Sequence, residues 1–379
     1  MKKTLGPMMC HPAVCVVEEN YVIAVPVRVS ALIHIEVGGQ KYFCHANGVR
    51  VSNARVQMFT IPQRELDGAG EYTVVCRRVF CRLPFNCILG HERRWVYSFH
   101  PVRKTEGIKI CHISDTHGLR DAAVSSGRYF GKELDLLLLN GDIQDFSATE
   151  SQLMLPYKIA SDITGGRIPV ILSRGNHDLR GAAAESLSKL YPCANGRSYY
   201  YARVGCMWFL LLDCGEDKED GHREYGSTAA FHPFRLEQTA YLEDLAREEH
   251  LLEGIKYCFI LSHIPFAIRN TEDYGRDRRP FDIENEIYDR WCAVLNQKIR
   301  PQLLIGGHYH ETELVRQDAE RNTRRICCDI LIGGMPLKKQ KDYISANLTV
   351  YPHGCDIAFC DRNHHVVKME QSVFNSDKI

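Results

Sequence analysis

The sequence has no surplus charge of either sign: Lys and Arg total 47, and Asp and Glu total 47. The basic residues are spread along the chain, so neither the positive face that a polyanion needs nor a membrane-surface footprint is expected. No apolar run approaches the roughly 20 residues of a membrane-spanning helix. Met1-Lys2-Lys3 has the charge of a leader's start, but Gly6, Pro7, His11 and Pro12 interrupt the chain before an apolar core can form. Internal repeats and low-complexity tracts are also missing. What remains is a globular chain of 379 residues, long enough for two domains and expected in the cytoplasm. Cysteine is plentiful, at 16 residues, yet Cys15, Cys44, Cys111, Cys206, Cys258 and Cys360 sit inside apolar runs and read as small buried hydrophobes. A reduced protein is expected, with Cys76 and Cys87 the pair to consider for a bridge.

One pattern occurs five times: an apolar run that stops at a metal-ligand side chain. Ile110 to Ile113 leads to Ser114-Asp115-Thr116-His117, and Leu136 to Leu139 leads to Asn140-Gly141-Asp142. Val170 to Leu172 leads to Gly175-Asn176-His177-Asp178, Phe259 to Leu261 to Ser262-His263, and Leu303 to Ile305 to Gly306-Gly307-His308-Tyr309-His310. Alternate residues of a strand face opposite ways, so Asp115 and His117 share a ligand only if the strand ends at about Ser114 and turns.

Helix-like stretches lie between these strands, at Ser151 to Thr164, Ala182 to Leu190, Arg235 to Glu249 and Glu284 to Lys298. In the third, Leu236, Ala240, Leu242 and Leu245 give the apolar face, and Glu237, Glu243, Asp244 and Glu248 the wet one. Strands alternating with helices predict a sheet covered on both faces, with ligands at the strands' carboxyl ends. The strand-like runs after His310 are expected to complete a second sheet packed on the first. Gly215-Glu216-Asp217-Lys218 follows another strand and lies at the same rim; its residues leave open whether it covers a site or is a surface loop.

Residues from about Cys10 to His100 differ in texture. Short β-rich runs separated by Gly38-Gly39, Asn47-Gly48 and Asp67-Gly68 predict a small β-sandwich with no helix. The stretch Leu66 to Cys76 resembles the tyrosine corner of immunoglobulin-like domains, in which Tyr72 would anchor the loop before its strand.

Asp115, His117, Asp142, Asn176, His263, His308 and His310 offer oxygen and imidazole but no thiolate, a set that favours Mn, Fe, Zn or Co. Seven ligands exceed the needs of one ion once a water is counted. Two ions about 3.5–4 Å apart, sharing a carboxylate and a bridging hydroxide, clamp the attacking and leaving oxygens of a phosphoryl displacement.

In this order, Asp-x-His, Gly-Asp-x-x-Asp, Gly-Asn-His-Asp, a lone His and Gly-His-x-His resemble the calcineurin-like metallophosphoesterases, from about Ile108 to the C-terminus. The resemblance implies a four-layer αββα fold and a centre of two divalent or mixed-valence ions. By that analogy Asp115, His117, Asp142 and His310 hold one ion, and Asp142, Asn176, His263 and His308 the other. His177 matches the position that faces substrate and stabilises or protonates the leaving oxygen. Asp178 is expected to orient that imidazole by hydrogen bonding, and Arg174 to contact phosphate. Arg276, Arg278 or Arg279, shortly after His263, are further candidates to grip it. The β-rich start is also similar to purple acid phosphatases. Those enzymes carry a ligating Tyr where Asp145 stands and lack the counterpart of His117, so a purple tyrosinate site is not expected. The Asp-x-His version instead resembles the branch holding bacterial phosphodiesterases, including those acting on cyclic nucleotides.

The sequence thus reads as an α/β protein, with residues 1–103 a small all-β sandwich of immunoglobulin or fibronectin III type and residues 104–379 the catalytic domain. The activity expected is dimetal hydrolysis of a small phosphorylated substrate, phosphodiester ahead of monoester, by a metal-bridging hydroxide. Neither nucleic acid nor membrane is expected as a partner. The contrasting reading is a non-catalytic scaffold that binds a partner through the sandwich; scaffolds of that kind lose ligands, and here the full set is present.

Overall fold

The computed structural model describes residues 5–269 and 284–374. The five apolar runs become parallel strands divided between two sheets. Ile108–Ile113, Leu136–Asn140 and Pro169–Ser173 lie side by side in a ten-stranded sheet, and Tyr257–Leu261 and Leu303–Gly306 are neighbours in a six-stranded one. Their burial on both faces explains why they read as unbroken hydrophobic runs. In the six-stranded sheet Phe209, Leu211, Phe259, Leu261, Leu303 and Ile305 share a core with Ile110, Leu137 and Ile171 of the larger sheet. The alternate residues Trp208, Leu210, Cys258, Ile260, Leu304 and Ile330 pack instead with Leu242, Leu245 and Trp291 of the helices Phe231–Leu245 and Asn285–Val294. Helices Arg120–Ser126 and Leu155–Thr164 cover the far face of the ten-stranded sheet. The order of layers is helix, sheet, sheet, helix.

The C-terminal strands are arranged differently from the expectation. Glu313–Val315 and Asp329–Ile332 join the second sheet, but Asp342–Tyr351 pairs antiparallel with Ile108–Ile113, and Gly354–Cys360 and Val366–Val373 follow it outward. The free edge of Ile108–Ile113 offered an unpaired ladder, which an antiparallel strand satisfies.

At the opposite edge the N-terminal region enters the same sheet. Ala13–Val17 runs parallel to Pro169–Ser173, pairing Val14 with Pro169 and Cys15 with Val170. Asn20–Pro26 and Val56–Pro62 extend the ladder. A five-stranded sheet that includes Ala31–Val37, Glu71–Leu83 and Arg93–Ser98 completes the all-β region, and one core runs through it into the catalytic part. Backbone hydrogen bonds therefore cross the division drawn from composition at residue 103. The tyrosine-corner reading is corrected as well: the Tyr72 hydroxyl donates to the Gly166 carbonyl at 2.8 Å, 94 residues away, and so ties the β region to the catalytic sheet. The local anchor is Tyr21, which donates to Asp67 at 2.9 Å. A short helix, Gln63–Ala69, was not foreseen; Gly70 ends it at φ 65°. No disulfide forms among the described residues, and Cys76 and Cys87 are both thiols.

The helix Phe231–Leu245 buries a different face from the predicted one. Leu242 and Leu245 are inside, but Leu236 is 45 % exposed, whereas Arg235, Gln238 and Thr239 are buried. The cause is the loop after Met207–Leu211. Arg235 donates to the carbonyls of Cys214 and Glu216, and Gln238 exchanges two 2.7 Å hydrogen bonds with the backbone of Asp213. A buried loop must have its peptide groups satisfied, and polar helix residues do so here.

Candidate metal centre

Five of the seven anticipated ligands sit in left-handed backbone conformation: Asp115, His117, Asp142, His308 and His310, at φ of 52°, 44°, 53°, 69° and 56°. Each such residue costs about 1–3 kcal/mol and persists only where its surroundings impose it. The turns are clamped together, since Asp115 and His117 donate backbone N–H to the carbonyls of Gly141 and Asp142 at 3.0 and 3.1 Å. His308 N–H in turn reaches both Asp115 oxygens, at 3.0 and 2.9 Å, joining the two sheets at the rim. Two glycines allow this approach. A Cβ on Gly175 would stand 2.3 Å from Asp142 Oδ1, and one on Gly307 2.3 Å from Asp115 Oδ2.

The side chains converge as two groups of ligand atoms within 4.8 Å, Asp115 with His117 and His310 and Asp142 with His263 and His308, and a third group, His117 with Asp142 and His177, overlaps both. The Nε2 atoms of His117 and His310 are 2.9 Å apart. His263 Nε2 lies 3.2 Å from Asp142 Oδ2 and 3.7 Å from Asp115 Oδ1, which draws the two groups into one cluster. Asn176 Oδ1 is 3.0 Å from His308 Nδ1. All seven anticipated ligands are therefore in one place.

The electrostatics of the cluster suit cations. Asp115 and Asp142 are fully buried, and burial raises a carboxyl, but the facing imidazoles, His263 first, hold both below the usual range. Burial likewise opposes charge on His263, yet the two carboxylates push its imidazole up to about 10. Among the described residues no aligned hydrogen bond reaches that buried Nε2, while Nδ1 donates to the Asn140 carbonyl at 2.7 Å. A ring held through one nitrogen, with the other aimed at two carboxylates, is the arrangement of a metal-ligating histidine. Burial keeps His117 neutral, lowered to about 4, and a neutral ring is the form that ligates. With oxygen and imidazole donors only, the cluster fits two hard or borderline divalent ions.

Other expected roles change. His177 is beside Asp142, with Nε2 3.9 Å from Oδ2, but its Nδ1 lies 2.8 Å from the Asp145 carbonyl rather than against Asp178. Asp178 accepts from the backbone of Gly175 at 2.7 Å and Asp142 at 3.1 Å, and from the Gln144 amide at 2.5 Å. It braces two ligand turns and does not orient His177. Burial and the Asp142 charge push its carboxyl up to about 7. Arg174 is also committed elsewhere, paired with Asp213 and stacked over Phe234 at 5.3 Å. Asp145 lies 3.0 Å from His117 Nδ1 without hydrogen-bond alignment. Arg276, Arg278 and Arg279 fall outside the described residues.

Arg180 was missed, and the rim loop whose role was left open supplies Glu216 and Asp217. Arg180 Nη1 is 3.0 Å from His177 Nε2, and the guanidinium pairs with Glu216 at 3.1 Å. Glu216, fully buried, also accepts from Asn176 Nδ2 at 2.9 Å and from the Tyr225 hydroxyl. Asp217 Oδ2 lies 3.4 Å from His308 Nε2, leaving Nδ1 toward Asn176. The Gly215 to Lys218 loop thus belongs to the site, and the available signal was its place after a rim strand.

Among solved structures, the chain is similar in fold to a purple acid phosphatase, PPD1, from yellow lupin seeds. The TM-score is 0.57 at 9% identity, covering 96% of this chain and 73% of that one. It is also similar to PhoD, with a TM-score of 0.50 at 10% identity, covering 96% and 88%. Among curated proteins none matches. The family model for calcineurin-like phosphoesterase matches residues 108–312, over half of the chain and the whole ligand set. The chain belongs to the calcineurin-like phosphoesterase family.

Proposed function

We propose that the protein is a dimetal phosphoric ester hydrolase that favours a small phosphodiester. The observation that carries the reading is the convergence of seven nitrogen and oxygen ligands, five of them held in strained backbone, around Asp142. Bound there, two divalent ions supply Lewis acidity and a water acidic enough to attack phosphorus near neutral pH. Asp115, His117 and His310 would hold one ion, Asn176, His263 and His308 the other, and Asp142 both. His177 stands next to Asp142 with its Nε2 toward Arg180, in position to meet charge developing on the leaving oxygen. Arg180 replaces Arg174 as the guanidinium we assign to the phosphoryl oxygens.

Charge balance supports a diester. Arg174, Arg180 and Lys218 are each paired with a carboxylate, Asp213, Glu216 and Asp217 respectively. Among the described residues the rim therefore offers little surplus positive charge for the second negative charge of a monoester. The test is hydrolysis of bis-p-nitrophenyl phosphate against p-nitrophenyl phosphate by metal-stripped protein resupplied with Mn²⁺. Metal-dependent turnover with the diester ahead is expected. Equal or greater turnover of the monoester would reverse the preference, and no turnover with about two ions bound per chain would point to a narrower substrate. Protein that binds no metal would leave the scaffold reading standing.

A further inference from the structure

The catalytic reading leaves one part of the molecule unused, the hairpin at the far end of the five-stranded sheet. Glu71–Leu83 turns through Pro84 and Phe85 into Asn86–Leu89, with Leu83 paired to Asn86. Its tip is apolar and wet: Phe85 is 102 % exposed, Phe80 60 %, Leu83 51 % and Ile88 49 %. Scattered apolar residues on a surface are ordinary, but here four large ones fall within one hairpin.

The same hairpin is positive although the chain as a whole is neutral. Between residues 77 and 94 lie Arg77, Arg78, Arg82, Arg93 and Arg94, against the single acid Glu92, which Arg94 pairs. Among the described residues, Arg28, Arg77, Arg78, Arg82 and Arg93 take part in no ion pair. Arg28 donates to the Met8 carbonyl, Arg77 to that of Gly90 and Arg82 to that of Arg50, and Arg78 lies 4.8 Å over the Phe80 ring. Arg28, brought in from the N-terminal strands, joins Arg77, Arg78, His91 and Arg93 around a groove of about 910 Å³ beside Phe80.

Arginines on an outlying hairpin can serve only to discourage pairing with other sheets. A phenylalanine at the apex of the turn serves no such end, since it makes the tip more adhesive. A nucleic-acid surface would use aromatic faces for stacking, but the aliphatic Leu83 and Ile88 add nothing to stacking. An anionic bilayer accounts for both features: apolar side chains enter the headgroup boundary while guanidinium groups behind them stay at the level of the phosphates. We infer that this hairpin docks the protein on anionic phospholipid membranes, with Leu83, Phe85 and Ile88 inserted and the Arg28, Arg77, Arg78 and Arg93 groove facing headgroup phosphates. No helix of the described residues is long and apolar enough to cross a membrane, and the contact proposed is with the bilayer surface.

The test is flotation of the full chain with phosphatidylcholine vesicles, with and without phosphatidylserine. Binding should require phosphatidylserine and fall as salt rises. Arg77→Gln with Arg78→Gln and Arg93→Gln should weaken it by roughly a hundredfold, and Leu83→Ser with Phe85→Ser should abolish it. Both variants should hydrolyse a water-soluble ester like the parent, because none of these residues contributes to the metal centre. Phe85→Trp adds a direct readout, with emission shifting to the blue when anionic vesicles are added. Failure of the parent to float, equal binding to neutral vesicles, or no blue shift would overturn the proposal. So would variants that leave flotation intact while abolishing oligonucleotide binding or self-association.

Discussion

On the ten-stranded side of the metal centre, Asp115 and Asp142 are fully buried, and their turns are clamped to each other by backbone hydrogen bonds. On the six-stranded side, His263 is buried, but His308 is only partly covered and the His310 side chain is 42 % exposed. The difference follows from the cost of leaving each group without an ion. Two carboxylates forced together out of water need a counter-charge and a rigid frame, a demand that the six-stranded side, which brings no carboxylate of its own to these strand ends, does not share. The carboxylate side is therefore the more buried and the more tightly braced half of the cluster.

The sharpest way to break this contrast is Asp142→Asn, which removes the charge that the proposed assignment shares between both ions. Turnover should fall by more than about a hundredfold, and metal analysis should show fewer ions per chain. Retention of both metal and activity would mean that the carboxylate rim does not dominate.

Within the imidazole rim, His263→Ala should cost more metal affinity than His310→Ala, because His263 faces both carboxylates from a buried position. Competition with a chelator would rank the two, and the reverse order would contradict the division by burial.

Supporting groups come next. Asp178→Asn and Glu216→Gln each disturb a brace behind a ligand turn, and each should weaken metal binding by about 10–100-fold. A selective change in the pH profile of kcat in Asp178→Asn, with metal affinity intact, would restore the role of orienting His177.

The smallest effect separates two arginines. Arg180→Ala should raise KM and lower kcat, whereas Arg174→Ala, which breaks an ion pair with Asp213, should change thermal stability and leave KM unaltered.

The convergence of the seven candidate ligands was legible because each closes a local word: an apolar strand followed by a short turn rich in glycine, aspartate and asparagine. Such signals depend on neighbours in the chain. The roles of Asp178, Arg174 and Arg180 were not legible, because their partners, Asp142, Asp213 and Glu216, come from other turns. Leu236 and Ala240 were assigned to the buried face, and Arg235 and Gln238 take that place, for the same reason. Helical periodicity treats polar residues as wet, whereas here they satisfy a buried loop. The N-terminal strands carried the right β pattern but no mark of which sheet they would enter, since any open ladder accepts a strand of suitable length.

The sequence by itself determined the strands, the candidate ligands at their carboxyl ends and the family, because these rest on side-chain type and spacing within a few residues. Only the tertiary structure decided which sheet each edge strand joined, which carboxylate braced which turn, and that Arg28 meets Arg77, Arg78 and Arg93 beside an exposed apolar tip. Those outcomes depend on groups distant in the chain competing for the same hydrogen bonds and the same buried space.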